Sequence, residues 1–472
     1  MMKIPADKST FAVYIGNRGF FPASLLMDAR EEMGSVLKKL GHETIFMDAS
    51  LTRHGAVETP AEGEMFAAFL KDNEDKIDGV ILTLPNFGDE NGAVAALKNA
   101  GVPIFVHAYP DDMDKMSPKL RRDAFCGKLS IMDVFYQNDI KFTALKPHTV
   151  SPQSEKFAEG IAYFDSVCRT AKSLKKMVVG AIGARTSAFK TVRIDELALQ
   201  RNGITMETFD MSDVFARVKS LKDSETSVKE KIDVLNSYSN CAGIPQESFY
   251  NLAKVGVVLD TLVEECKLDA IAVRCWIEIQ QQLGISPCLL LSEMNNRGII
   301  ASCEVDVGNA VAMYALSNAS GNVSTCLDWN NNYGDDENKC ILFHCGPVPQ
   351  SMMVGQGLVT THSILDNAPG IVSSFGCNTG RIKPTRFTFA SMMTDSGRLK
   401  FYLGEGTITG DPIPADFFGC AGVAEISNLQ KVLLHIGRQG HRHHVSLTPG
   451  YYALAVREAL EYYLGYDVTM PQ

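Results

Sequence analysis

Two carboxylates stand two residues apart in the stretch "ASCEVDVGNA", where Glu304 and Asp306 follow an apolar run. On a β-strand this spacing would point both side chains to the same face. A buried pair of like charges is costly unless a cation, a proton or a hydrogen-bond donor compensates it. The stretch therefore predicts a compensating partner elsewhere in the chain.

Candidate partners follow other β-like runs. Asp328 comes after "VSTCL", His344 after "KCILF", and His441, His443 and His444 share the segment "GHRHHVSL". In open α/β sheets, ligands gather at the carboxyl ends of strands, so we expect these side chains to meet near Glu304. The structural alternatives are a turn or cap role for Asp328, a core position for His344 and a surface position for the cluster.

Two carboxylates and one or two imidazoles around one point would suit an octahedral Mn²⁺ or a similar divalent cation. Mg²⁺ would prefer fewer nitrogen ligands, and structural Zn²⁺ would more often use thiolates. The pattern predicts a divalent-cation site in which the cation compensates the burial of Glu304.

Composition limits the classes of function. The 472 residues are 45% hydrophobic and 21% charged, as in a globular chain of two or three domains. A formal net charge of -10 gives no general attraction for nucleic acid or an anionic membrane. The start "MMKIPADKST" lacks the regions of a secretory signal, and the 12 cysteines form no CxxC pair. We expect a cytoplasmic protein with reduced thiols and a small-molecule ligand.

The elements that must position these residues alternate between strand and helix. Runs such as "FAVYIGN" and "GVILTLPNFG" are apolar nearly throughout, as in strands covered on both faces, and a second alternation starts at "MVVGAIGA". Beyond about residue 345 turn-separated runs predict antiparallel pairing, with "DSG" as one hairpin turn. The predicted fold is α/β: two consecutive doubly wound parallel-sheet domains, 1–175 and 176–345, then a mostly antiparallel β domain, 346–472.

The segment "MVVGAIGARTSAF" has the strand–turn–helix pattern at which phosphates often bind, but it contains neither GxGxxG nor GK[ST]. It therefore predicts no nucleotide cofactor. Arg185, Lys190 and Arg193 could bind an anionic group of a substrate there. The alternative is structural pairing of Arg193 with Asp195 or Glu196.

At these residues the sequence resembles the L-fucose isomerase and L-arabinose isomerase family. The resemblance covers most of residues 176–472 at the level of motifs: "GARTSAFKTVRIDELALQRNGITMETFDMSDVF", "CWIEIQQQLGISPCLLLSEMNNRGIIASCEVDV", "CLDW", "FHCGPVP" and "GHRHHVSLTPG". In residues 1–175 mainly the alternating pattern agrees.

The resemblance implies a metal-dependent interconversion of an open-chain aldose and its ketose, with Mn²⁺ as the expected ion. It assigns the metal ligands to Glu304, Asp328, His344 and His444. Because L-fucose isomerases use Glu, Asp and one His, His344 is the least secure ligand. Glu304 and Asp328 are also the expected acid–base pair for moving a proton between C2 and C1. Asp306 is expected to orient a neighbour, and the substrate-binding candidates are Arg185, Trp276, Gln280 and His443.

The substrate stays open at this point. The family includes enzymes for L-fucose, arabinose and sulfoquinovose, and a sulfonate would need cationic groups. Candidates are the Arg185 cluster or Arg381, Lys383 and Arg386 in "GRIKPTRFT". A non-catalytic sugar-binding module is the alternative class, because consecutive α/β domains also form hinged binding proteins. The resemblance further implies a homo-oligomer, commonly a hexamer.

Overall fold

The computed structural model describes residues 8–471 except Ser187, Asn367 and Val372. The chain forms two compact units that divide near residue 172, and residues 462–464 belong to the first of them. In the part of the chain that is described, no helix is long and apolar enough to cross a membrane. All 12 cysteines are described, and each is a free thiol.

The first unit contains a parallel sheet with the strand order β2-β1-β3-β4. Strands β1, β3 and β4 are buried along their whole length, as expected where helices cover both faces of a sheet. The elements, in chain order, are β1 Phe11–Ile15, α1 Ser24–Lys39, β2 Thr44–Phe46, α2 Pro60–Asp72, β3 Gly79–Leu84, α3 Glu90–Leu97, β4 Ile104–Ala108, α4 Ala124–Gln137 and α5 Glu155–Lys175, with a 3₁₀ turn at Arg53–Gly55.

The second unit begins with another parallel sheet, of order β6-β5-β7-β8. Its elements are β5 Met177–Ile182, a 3₁₀ turn at Lys190–Val192, α6 Glu196–Arg201, β6 Ile204–Phe209, α7 Met211–Ser220, α8 Thr226–Tyr238, α9 Gln246–Glu265, β7 Ala270–Val273, α10 Glu278–Leu283, α11 Cys288–Asn296, β8 Ile300–Cys303 and α12 Val307–Ser320. Helix α12 is buried along most of its length.

A large mixed sheet follows in the same unit, and its nine described strands run in the order β11-β12-β15-β10-β9-β16-β13-β14-β17. Most neighbours are antiparallel; β12–β15 and β14–β17 are parallel. The elements are β9 Thr325–Asn332, β10 Lys339–His344, a 3₁₀ turn at Gln350–Met352, β11 Leu358–Thr360, β12 Cys377–Arg381, β13 Thr385–Asp395, β14 Arg398–Ile408, β15 Cys420–Glu425, α13 Leu429–Arg438, β16 His444–Pro449, α14 Ala453–Arg457, a π-helical turn at Glu458–Tyr463 and β17 Asp467–Thr469.

The predicted fold class is confirmed: two parallel four-stranded sheets with helices precede a mostly antiparallel sheet. The "DSG" turn joins β13 to β14, with Ser396 and Gly397 at φ 52° and 76°. The strand containing Asp328 differs from expectation, because β9 belongs to the large sheet and not to the parallel alternation. The segment from Asn332 to Lys339 is too short for a parallel crossover, which needs a dozen or more residues, so β9 and β10 pair antiparallel.

Candidate metal and sugar site

Glu304 lies in a tight turn and not on a strand. Strand β8 ends at Cys303, and Glu304 and Val305 both adopt left-handed backbone conformations, with φ 62° and 57°. The expectation that Glu304 and Asp306 share a strand face was therefore wrong. Left-handed φ is rare for a β-branched residue and costs about 1–3 kcal/mol, and strain of this kind clusters at functional sites.

Asp306 is the centre of a buried network behind Glu304. It caps α12 by accepting a hydrogen bond from Asn309 N at 3.0 Å, and it accepts a second from Asn309 Nδ2 at 2.7 Å. It also forms a buried ion pair with Arg442 and accepts from His444 Nδ1 at 2.7 Å. These contacts are those expected of a carboxylate that orients a metal-ligating histidine.

Strand register brings Asp328 to His444. Strands β9 and β16 pair antiparallel with Asp328 directly opposite His444, and on the other side of β9 Asp328 lies opposite Phe343 of β10. His344 is therefore one residue beyond the pairing position of Asp328. The large sheet, together with the turn after β8, collects side chains that are far apart in sequence.

Several buried polar atoms in this cluster have no hydrogen-bond partner among the described residues: Glu304 Oε2, Asp328 Oδ1, His344 Nε2 and His444 Nε2. His444 Nε2 lies 2.9 Å from Glu304 Oε2 and 3.4 Å from Asp328 Oδ1. Neighbouring ligands of an octahedral cation with bonds of about 2.1 Å are about 3 Å apart. Two sets of residues offer ligand atoms within 4.8 Å of one another, Glu304 with His344 and His444, and Asp328 with His443 and His444. Since an unsatisfied buried polar group costs about 1–3 kcal/mol, a cation beside His444, which belongs to both sets, would stabilise these atoms.

The charges around His444 stabilise a positive charge. Burial disfavours the charged imidazole, but the Asp306, Glu304 and Asp328 carboxylates outweigh it and raise the pKa of His444 well above its usual value. Burial likewise disfavours ionised Glu304, yet contact with His444 lowers the pKa of Glu304 to about 2. The same carboxylates would stabilise a divalent cation at this point.

Aromatic side chains form the rim of the site. Trp276 Nε1 donates to Glu304 Oε1 at 3.0 Å, which leaves Oε2 facing the cluster. The Phe189 ring lies 5.7 Å from Trp276, 5.3 Å from His443 and 5.7 Å from His444. His443 is 42% exposed, and its Nε2 is 3.6 Å from Asp328 Oδ1. Three predicted residues, Trp276, His443 and His444, thus surround one ring.

Sequence reasoning missed Phe189 and Arg442. Both stand inside motifs that were noticed, "GARTSAF" and "GHRHHVSL", and an arginine between two histidines was the available signal for Arg442. No periodicity singles out Phe189, because its role depends on how the loop after β5 folds.

Other predicted residues make contacts of their own. Gln280 is buried and its Nε2 donates to Cys275 O at 2.7 Å and Ser286 Oγ at 3.1 Å, so its amide nitrogen supports a loop. Arg185 donates to Thr186 O at 3.2 Å, and the Thr186 hydroxyl donates to Trp276 O at 3.4 Å, which puts Arg185 on the loop beside the aromatic rim.

The remaining basic candidates differ in their surroundings. Lys190 and Arg193 are exposed on the loop that carries Phe189. Arg381 donates to Pro414 O at 2.9 Å and Phe417 O at 3.1 Å, and thereby holds a loop of the large sheet. Lys383 is exposed, and Arg386 lies over the Tyr451 ring at 5.4 Å.

His441, the first histidine of the predicted cluster, packs edge-on against Tyr402 at 4.8 Å, and burial lowers the pKa of His441 to about 3.

Comparison with known proteins gives two family matches. Residues 12–175 match the family described as fucose/sulfoquinovose isomerase, N-terminal domain, and residues 342–471 match L-fucose isomerase, C-terminal domain. The chain is 23% identical over 379 residues to the sulfoquinovose isomerase of Priestia aryabhattai, spanning 79% of this chain and 81% of that protein. It is 24% identical over 284 residues to the sulfoquinovose isomerase of Alkalicoccus urumqiensis, spanning 59% and 62% of the two chains.

Proposed function

Because the chain belongs to the L-fucose isomerase-like family and is a sugar isomerase, we propose that it interconverts an open-chain aldose and its ketose with a divalent cation held by Glu304, Asp328 and His444. The observation that carries the proposal is that two buried carboxylate oxygens, Glu304 Oε2 and Asp328 Oδ1, lie 2.9 and 3.4 Å from the buried Nε2 atom of His444. Mn²⁺ is the proposed ion because two carboxylates and one imidazole suit it.

A cation held by Glu304, Asp328 and His444 would supply Lewis-acid polarisation of the sugar carbonyl, which is typically worth several kcal/mol. The carboxylates of Glu304 and Asp328 move the protons. One accepts the proton from C2 and returns it to C1, and the other serves the sugar oxygens. Trp276 fixes the orientation of Glu304 through its indole N–H, and Asp306 fixes that of His444.

Within this class we propose sulfoquinovose, converted to sulfofructose, as the substrate, with L-fucose and arabinose as the other candidates. The support is twofold: curated relatives act on sulfoquinovose, and Arg185 offers a guanidinium on the loop beside the aromatic rim. A guanidinium can bind a sulfonate with two charge-assisted hydrogen bonds. Arg381 instead holds a loop of the large sheet through Pro414 O and Phe417 O.

The test is turnover by metal-stripped protein with and without added Mn²⁺. Sulfoquinovose, L-fucose, L-arabinose and D-arabinose are each followed by NMR in D₂O, and 6-deoxyglucose serves as the matched sugar without a sulfonate. We expect Mn²⁺-dependent ketose formation with deuterium at C1 of the ketose, the carbon that receives the proton. We also expect kcat/KM to be about 10–100-fold higher for sulfoquinovose than for 6-deoxyglucose, the value of a charge-assisted contact.

The outcomes separate the parts of the proposal. Turnover of L-fucose without turnover of sulfoquinovose would overturn the substrate alone. No ketose and no deuterium from any of these sugars, with Mn²⁺ bound and the protein folded, would overturn the activity proposed here. Sugar binding unaffected by Glu304→Gln, together with that lack of turnover, would instead favour a binding module.

We also propose, from family membership, a cytoplasmic homo-oligomer, with a hexamer as the first expectation. Light scattering coupled to size-exclusion chromatography measures the mass in solution. A mass of one 51.6 kDa chain would contradict the proposed assembly.

A further inference from the structure

Two buried histidines meet in the site, and their Nδ1 atoms have opposite kinds of partner. In His444, Nδ1 faces Asp306 Oδ2 at 2.7 Å, and an ionised carboxylate can only accept. In His344, Nδ1 faces the backbone N–H of Cys345 at 2.9 Å, which can only donate. A neutral imidazole carries one N–H and one lone pair, so the partner of Nδ1 fixes what Nε2 can do.

The consequence differs for the two rings. With a cation bound, His444 would keep its proton on Nδ1, facing Asp306, and present the lone pair of Nε2 to the cation. His344 uses the lone pair of Nδ1 to accept from Cys345, so its proton is on Nε2. Turning the His344 ring over would place a carbon against the Cys345 N–H and leave that donor without this acceptor.

The Cys345 N–H is held in place. Cys345 directly follows β10, whose last residue, His344, pairs with Cys420 of β15. The Cys345 thiol is 3.1 Å from His362 Nε2, and His362 N donates in turn to Ser374 Oγ at 2.9 Å. The donor that fixes the His344 ring is therefore anchored on both sides.

The sequence resemblance assigned His344 as a metal ligand. We infer instead that His344 is a hydrogen-bond donor whose Nε2–H contacts an oxygen of the bound sugar. The inference rests on the proposed function. The His344 side chain is 1% exposed, its Nε2 has no partner among the described residues, and it offers a ring nitrogen within 4.8 Å of ligand atoms of Glu304 and His444. A carbonyl or hydroxyl oxygen at C1 or C2 of the sugar satisfies this donor, which stabilises the oxygen as negative charge develops on it.

The first experiment measures Mn²⁺ affinity without sugar, by electron paramagnetic resonance titration. The variants are His344→Gln and His444→Gln, and thermal melts confirm that each is folded. We expect the Kd of His344→Gln to stay within about threefold of the native value, and that of His444→Gln to rise at least about 100-fold, beyond the effect of losing a supporting contact. An equal loss of affinity in both variants would overturn the inference and make His344 a ligand.

The second experiment measures turnover at saturating Mn²⁺. We expect His344→Ala to lower kcat about 100–1,000-fold, the usual effect of removing a donor to a developing oxyanion. The kcat of His344→Gln should be at least about tenfold higher than that of His344→Ala, since the glutamine amide N–H₂ reaches nearly as far as Nε2. Native turnover by His344→Ala would overturn the donor role.

A third readout needs neither metal nor turnover. Long-range ¹H–¹⁵N spectra of protein labelled with ¹⁵N-histidine report the tautomer of each ring, with His344→Gln and His444→Gln assigning the signals. We expect the Nε2–H form for His344 whether or not any of the tested sugars is converted. An Nδ1–H form at His344 would overturn the inference while leaving the proposed isomerase activity intact.

Discussion

The N-terminal parallel sheet and the large C-terminal sheet both bury histidines, but they treat the ring nitrogens differently. His107 on β4 is 1% exposed, and both its nitrogens are satisfied: Nδ1 by the Thr83 hydroxyl at 2.8 Å and Nε2 by Val150 O at 2.7 Å. His344 and His444 are equally buried, at 1% and 0%, yet each leaves Nε2 without a hydrogen bond.

This difference, together with the neighbouring carboxylates, distinguishes His344 and His444 from His107, whereas burial does not. A buried polar atom without a partner is costly, and at His344 and His444 such an atom lies beside the Glu304 carboxylate, where a ligand could satisfy it. His107 completes its hydrogen bonds within its own unit and contributes to stability. His344 leaves Nε2 without a hydrogen bond near Glu304, and Nε2 of His444 faces two carboxylates; for these two histidines we propose roles in binding and chemistry.

The largest expected effect tests the difference between the two kinds of histidine, with His444→Ala and His107→Ala as a matched pair of variants. His444→Ala should lower kcat/KM about 1,000-fold, because the cation's several kcal/mol of charge stabilisation is lost. His107→Ala should leave kcat/KM within about threefold but lower the unfolding free energy by about 3 kcal/mol, because Thr83 and Val150 lose a buried partner. Initial rates and thermal melts measure both, and equal loss of activity in the two variants would contradict the distinction.

The second prediction concerns Asp306, which supports His444 and compensates Arg442. Asp306→Asn should weaken Mn²⁺ binding about 10–100-fold, since a supporting carboxylate is lost. It should also cost about 3–5 kcal/mol of stability, because Arg442 stays buried without its counter-charge.

A double variant, Asp306→Asn with Arg442→Met, sharpens this prediction. Removing the uncompensated charge should restore much of the thermal stability but leave Mn²⁺ affinity low. Titration calorimetry and melting curves separate the two effects. Unchanged Mn²⁺ affinity in Asp306→Asn would show that the carboxylate does not fix the orientation of the His444 ring.

Local patterns carried much of the fold. Apolar runs bounded by turn residues identified the parallel sheets, because strands covered on both faces have no polar positions, and "DSG" identified the β13–β14 hairpin. The candidate ligands Glu304, Asp328 and His444 were also visible as charged residues at strand-like runs. Both carboxylates lie near His444, at 2.9 and 3.4 Å, and the role of the three residues as metal ligands stays a prediction.

What the sequence could not supply was long-range register and backbone conformation. Asp328 meets His444 through antiparallel pairing of β9 with β16, and no local pattern specifies that partner. Valine favours β-strands, so the sequence predicted that the strand continues through Glu304 and Val305, where the structure has a left-handed turn. Which ring nitrogen of His344 accepts a hydrogen bond depends on the position of the Cys345 N–H, and residue types do not encode this geometry.

The third prediction concerns Trp276 at the rim of the site, which is only half-buried and has Glu304 as its hydrogen-bond partner. Trp276→Phe keeps the aromatic contact with Phe189 and removes the N–H that Glu304 Oε1 accepts at 3.0 Å. We expect kcat to fall about tenfold, the value of one hydrogen bond to a charged group, with Mn²⁺ affinity changed less. A drop in thermal stability without loss of kcat would assign Trp276 to packing alone.

The smallest effect tests His107 by pH. Burial, opposed by the hydrogen bond to Val150 O, lowers the pKa of His107 to about 3, whereas the unfolded chain has the ordinary value of about 6.5. Between these values the unfolded state binds the extra proton. The stability that His107 contributes is therefore complete above about pH 6.5 and falls by about 1.4 kcal/mol per unit as pH drops toward 3. His107→Gln should show a shallower fall of melting temperature between about pH 6.5 and 5 than the native protein, and parallel curves would contradict the buried neutral state.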